Sequence, residues 1–147
     1  MSRGLALALV AVGGCLVGMQ APVNARLGRQ IGSLQAASVS FLVGTTALLL
    51  VTSISSGGVG GIASATKAPW WALLGGLFGA FYIAIAVMTV KTLGVSGLTA
   101  TVVTAQLSMA VVIDRFGLFG VARQQIAAPR IVGLVLLVIG AFLVVRR

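Results

Sequence analysis

Read for apolar and polar positions alone, the chain is a series of long hydrophobic runs separated by short polar breaks. Inside such runs periodicity cannot separate helix from strand, because nearly every position is apolar. Length can: a membrane-crossing helix needs about 20 residues and a barrel strand about 10. The runs are of helical length and predict spans at roughly 4–25, 33–54, 69–90, 93–113 and 127–145. The breaks read ARLGRQIG, SSGGVGGIASATK, KTLG and DRFGLFGVARQQIAAPR, the last predicted as a short amphipathic stretch in the membrane interface. Pro69 suits the first turn of the third span, and Trp70 with Trp71 suits the headgroup level. The final apolar run is short, so it must draw on Ala127 and Ala128 or let Arg146 and Arg147 snorkel.

Composition agrees with this pattern and narrows it. Of 147 residues 59% are hydrophobic and 7% charged, and the mean hydropathy is +1.18, which places the chain among integral membrane proteins. The expected fold is all-α and integral to the membrane, with one domain of five transmembrane helices over residues 1–147. The net charge is +9, but the ten basic residues sit singly at the ends of the apolar runs. They read as topology signals facing anionic lipid headgroups, and they form no continuous patch for nucleic acid. There is no His and no Glu, Asp114 is the single acid, and Cys15 is the single thiol. That inventory offers no ligand set for a metal and no internal disulfide, so neither cofactor nor metal is expected. The N-terminus has a second reading, since Arg3, GLALALVAVGG and Cys15 also resemble a signal peptide with a lipoprotein-type cleavage site. Because the apolar run continues unbroken through CLVGM, an uncleaved first helix is the simpler expectation.

Candidate chemistry lies in the few polar groups within the spans. Gln20 and Asn24 are four residues apart and share one helix face, and Pro22 frees a backbone carbonyl by removing an amide donor. A side-chain amide facing lipid is costly, whereas polar groups beside an interrupted helix can line a water-filled cavity. The competing reading is that Asn24 only terminates the first helix. In the third span Gly75, Gly79, Tyr82, Ala86 and Thr89 share a face, placing the one phenol on a small-residue stripe. Tyr82 then either bonds a neighbouring carbonyl or lines a cavity. In the fourth span Gly97, Thr101, Thr104 and Ser108 form a stripe whose hydroxyls can bond back to their own helix. Gln106, on the other side, cannot satisfy its whole amide in that way. Gly14 with Gly18 and Gly75 with Gly79 form two GxxxG pairs suited to close helix packing.

The ordered segments GMQAPVNARLGRQIGSLQAASVSFLVGTTAL, PWWALLGGLFGAFYIA and TAQLSMAVVIDRFGLFG resemble the five-span, half-size members of the drug/metabolite transporter superfamily. These form the YdcZ-like family, also catalogued as domain of unknown function 606. The resemblance covers nearly the whole chain and implies matched positions at Gln20, Asn24, Leu27, Trp71, Gly75, Gly76, Tyr82, Gln106, Asp114 and Gly117. Arg115 follows Asp114 where the family more often has His. The superfamily implies movement of small metabolites by alternating access.

Five helices enclose too little interior for a transport path, whereas superfamily members usually carry ten in two inverted halves. Two copies of this chain would supply the ten. Between the predicted spans, Arg3, Lys67, Arg115, Arg123 and Arg130 fall on one side and Arg26, Arg29, Lys91, Arg146 and Arg147 on the other. Five against five leaves no positive-inside bias, so insertion in both orientations and an antiparallel homodimer are expected. Without Glu the chain cannot use the first-helix carboxylate by which small multidrug exporters exchange protons for cations, so the expected substrate is a polar neutral or anionic small molecule. The sites expected to contact it are Gln20, Asn24, Trp71, Tyr82 and Gln106. Pro22, Gly14, Gly18, Gly75, Gly79 and Asp114 are expected to be structural, with Asp114 paired to Arg115, Arg123 or a helix end. A small dual-topology ion channel and an accessory membrane subunit are the alternatives from other classes; an enzyme is not expected.

Overall fold

The computed structural model describes residues 1–55 and 58–146. Among these every regular element is helical: α1 (Arg3–Ile31), α2 (Ser33–Ile54), a single turn α3 (Gly60–Ala63), α4 (Leu74–Phe116) and α5 (Ala128–Val145), with short 3₁₀ turns between. Four of the helices are long and apolar enough to cross a membrane. Residues 56 and 57 of the second break, and Arg147 of the charge balance, lie outside the described residues.

α4 has 43 residues, which would rise about 65 Å as one rod, twice the roughly 30 Å of a bilayer core. It is broken at Gly94, whose φ of 70° and ψ of 169° lie in a region essentially reserved for glycine. The helical segments 74–93 and 95–116 are thus each of span length, and with α1, α2 and α5 they make five. The third span opens with a 3₁₀ turn at Trp70–Leu73 behind Pro69 before the α-helix begins at Leu74.

α1 rules out the competing reading of Asn24 as the end of the first helix. It runs unbroken through Pro22 and Asn24 to Ile31, so Asn24 lies inside the helix and does not end it. Pro22 leaves the carbonyl of Gly18, one turn earlier, without its amide donor. The terminator is Gly32, at φ 95° and ψ 150°. At the other end Ser2 caps the helix, its Oγ accepting from the Leu5 N–H at 3.3 Å.

The chain divides into two compact units, residues 1–91 and 92–147. In the first, α1, α2 and residues 74–91 of α4 pack around the Gly32 turn. The core there is small: Ala21, Ala25, Ala36, Ala37, Ile83, Ala86, Val87 and Val90. Alanines let the backbones approach, and a Cβ built on Gly28 would lie 3.4 Å from both Ser33 Cα and Val87 Cγ1. No residue of α1 before Ala21 and none of α2 beyond Ala37 is buried, so the two helices pack only near their turn. Three of the four GxxxG glycines have open space beside them in the single chain. Within the first unit nothing lies within 4 Å of a Cβ at Gly14, Gly18 or Gly75; only Gly79 meets a neighbour, Phe41 at 3.4 Å.

In the second unit the segment 95–116 runs beside α5. Gly97 is near Val145 at one end, and Asp114 is paired with Arg130 at the other. The connection between them, expected as a short amphipathic stretch, is largely irregular. It holds one short 3₁₀ turn (Leu118–Gly120) followed by extended chain. Gly117, Phe119 and Gly120 all have positive φ, which α-helix excludes.

Candidate functional site

Asn24 is the one buried polar residue among those described, at 6% exposure. Its Nδ2 donates to Ser40 Oγ at 3.1 Å, tying α1 to α2 where alanines bring the helices together. An amide so placed has one donor satisfied by protein. Since no occluded side-chain nitrogen or oxygen among the described residues lacks a partner, the rest of the group reaches the surface. Gln20, one turn toward the N-terminus on the same face, is half-buried and makes no hydrogen bond among the described residues. It lies where the buried face of α1 ends and the contact with α2 gives way. The Gly18 carbonyl released by Pro22 is within the same turn. Gln20 and the Gly18 carbonyl are thus two polar groups within one turn of α1 that have no protein partner among the described residues, and water or a ligand can satisfy them.

Depth matters as well as direction. With 29 residues α1 rises about 44 Å, and Gln20 is about three residues past its midpoint, roughly 4.5 Å along the axis. Gln20 therefore lies near the middle of the helix, with Arg26 and Arg29 further along it.

The remaining candidates are distributed. Tyr82 is half-buried against the cluster of Ala37, Ile83 and Val87, and its hydroxyl makes no hydrogen bond among the described residues. The same face of α2 and α4 forms a groove lined by Leu34, Ala37, Ser38, Phe41, Ala80 and Ala84. Trp71 is 42% exposed in the 3₁₀ turn before α4, sixteen residues before Val87. Gln106 belongs to the second unit and is exposed on its helix. The hydroxyl stripe opposite it is internal to the helix, as its chemistry implies: Thr101, Thr104 and Ser108 donate to the carbonyls of Gly97, Ala100 and Thr104 at 2.8–2.9 Å. Among the described residues no group of His, Cys, Asp and Glu could hold a metal.

Asp114 finds its partner across the last connection. It pairs with Arg130 in the first turn of α5, rather than with the adjacent Arg115 or with Arg123. Arg123 instead donates from Nε to the Phe116 carbonyl at 3.0 Å, and the Gln124 N–H donates to the Asp114 carbonyl at 2.8 Å. Sequence reasoning missed both Arg130 and Ser40, each sixteen residues from its partner. Ser40 had a usable signal: it lies eight residues after Gly32, as Asn24 lies eight before it.

Five apolar helical segments define a small multi-pass helical membrane protein. Compared with known proteins, the chain matches over residues 5–143 the family model described as "Putative inner membrane exporter, YdcZ". The chain belongs to this family. It is also similar to the inner membrane protein YdcZ of Escherichia coli strain K12, with 29% identity over 150 residues, covering 100% of this chain and 99% of the relative. No solved structure matches. The protein is thus a multi-pass inner membrane protein of a transporter family.

Proposed function

We propose that this protein is a small secondary transporter that moves a polar neutral or anionic metabolite by alternating access, working as an inverted homodimer. The observation that carries the reading is Gln20, an unpartnered, half-buried amide near the midpoint of α1 where α1 and α2 part. A pair of chains related by a two-fold axis in the membrane plane brings equivalent mid-depth positions to the same level and sets equivalent helix ends on opposite surfaces. Gln20 and Asn24 of both copies would then line one cavity. The open glycines Gly14 and Gly18 favour a second chain there, because close backbone contact replaces the hydrophobic drive that lipid removes.

The charge inventory supports the substrate class. The single acid is engaged by Arg130, which leaves no free carboxylate in the spans to balance a cation or exchange a proton for one. Amides, a phenol and aromatic faces suit a polar substrate without net positive charge. The family's description as exporters favours outward movement.

The test is a thermal-shift screen of the purified protein against polar metabolites. A ligand at a hundred times its dissociation constant stabilises by about 2.7 kcal/mol. Gln20→Ala should abolish the shift given by a hit, and reduce its transport in vesicles, while the variant stays folded. A transported hit that shifts wild type and Gln20→Ala equally would contradict the site.

A further inference from the structure

The connection after the fourth span contains a second group of polar residues, distinct from Gln20 and Asn24. Arg115, Phe116, Arg123, Gln124 and Gln125 line a cavity of about 460 Å³ at the C-terminal end of the segment 95–116. Helix C-termini normally repel anions, carrying about half a negative charge on their free carbonyls. Here three of the last four carbonyls are engaged. Gly117 N–H donates to Ile113 at 2.8 Å, Gln124 N–H to Asp114 at 2.8 Å, and Arg123 Nε to Phe116 at 3.0 Å. The one carboxylate nearby, Asp114, is held by Arg130.

What remains uncompensated is positive. Arg115 makes no hydrogen bond or ion pair among the described residues, and Arg123 uses only Nε, so its two terminal nitrogens keep their donors. The side-chain amides of Gln124 and Gln125 also have no partner among those residues. Arg123 is not a loose surface side chain: it lies across Gly117, where an added Cβ would come within 2.7 Å of its Cγ and 3.1 Å of the Val121 carbonyl. Gly117 is also left-handed, with φ 66°, so glycine is needed there both to end the helix and to seat Arg123.

We infer that this cavity binds an anionic phosphate ester at the membrane surface. Guanidinium groups match phosphate oxygens in a bidentate fork, and the two glutamines add neutral donors for the remaining oxygens. The cavity opens where an apolar span ends, which is headgroup level, and basic pockets at helix ends there suit anionic lipid headgroups. A soluble phosphate monoester presents the same oxyanion, and the experiment separates the two sources.

The full chain in an uncharged detergent is titrated by thermal shift with short-chain phosphatidylglycerol, with phosphatidylcholine of the same chains, and with glycerol 3-phosphate. Arg115→Gln is the principal variant, because it breaks no contact in the structure. Phosphatidylglycerol should raise the melting temperature saturably and phosphatidylcholine should not. Arg115→Gln should weaken half-saturation about fivefold, the effect of about 1 kcal/mol per basic residue at a membrane surface. An equal response to glycerol 3-phosphate, lost in the same variant, assigns a soluble ester; a response to the lipid alone assigns a headgroup. The inference is overturned if neither phosphate ester shifts the melting temperature, if both lipids act equally, or if Arg115→Gln titrates like wild type.

Discussion

Replacing Asp114 by Asn removes the one negative charge in the chain while keeping the shape of the side chain. Its partner Arg130 is 32% exposed and Asp114 is 20% exposed, so the pair lies between two regimes. Exposed ion pairs contribute about 0.2–1 kcal/mol, and breaking a buried one costs about 3–5 kcal/mol. For a half-buried pair closing a loop between two helices, Asp114→Asn should cost roughly 1–3 kcal/mol, or about 3–9 °C in melting temperature at some 3 °C per kcal/mol. The bonds from the Gln124 N–H to the Asp114 carbonyl and from Arg123 Nε to the Phe116 carbonyl do not use the carboxylate and survive the substitution. The assay is a double-mutant cycle of Asp114→Asn and Arg130→Gln followed by thermal unfolding in detergent, with transport measured across pH in parallel. A coupling of about 1–2 kcal/mol and an unchanged pH profile are expected. Unchanged stability with a lost pH optimum would refute the reasoning and make Asp114 the group that couples transport to protons.

Asn24→Ala should destabilise by about 0.6–1.7 kcal/mol, the range of interhelical hydrogen bonds inside membranes, and Ser40→Ala by at least as much, since it leaves a buried donor unpaired. If Asn24→Ala unfolds like wild type yet loses transport, Asn24 contacts substrate and its bond to Ser40 is incidental. Gly94→Ala forces a side chain into a backbone region costing about 1–3 kcal/mol, and a matching fall in thermal stability is expected; a neutral result would mean the break between the third and fourth spans has another geometry.

Much of the fold was legible because a bilayer imposes length. Runs of about 20 apolar residues separated by glycine-rich or basic breaks leave few alternatives, and Gly94 in KTLG lies where the sequence divided the long apolar region. The end of α1 was not legible. Pro22 and Asn24 are local helix breakers, but Asn24 is compensated by Ser40 on another helix, and the helix continues to a glycine that can leave helical geometry. The same limit hid Arg130: sequence proximity favoured Arg115 and Arg123, whereas a chain reversal built on Gly117 and Gly120 delivers the cation from sixteen residues away. The hydroxyl stripe of the fourth span was readable, since Thr and Ser can satisfy themselves on their own helix. Gln20 and Gln106 cannot do so. The sequence flagged both as needing a partner, and neither has one among the described residues.

The claim that joins these observations is that two chains of opposite orientation build one transporter, and orientation can be measured directly. The native chain is fused at its C-terminus to a reporter active only in the cytoplasm and, separately, to one active only outside it. The even distribution of the ten basic residues gives the membrane insertion machinery no strong instruction. Comparable activity from both fusions is therefore predicted, with the ratio shifting when two lysines are added at the N-terminus. Activity from one reporter alone, unmoved by the added lysines, would contradict the inverted homodimer.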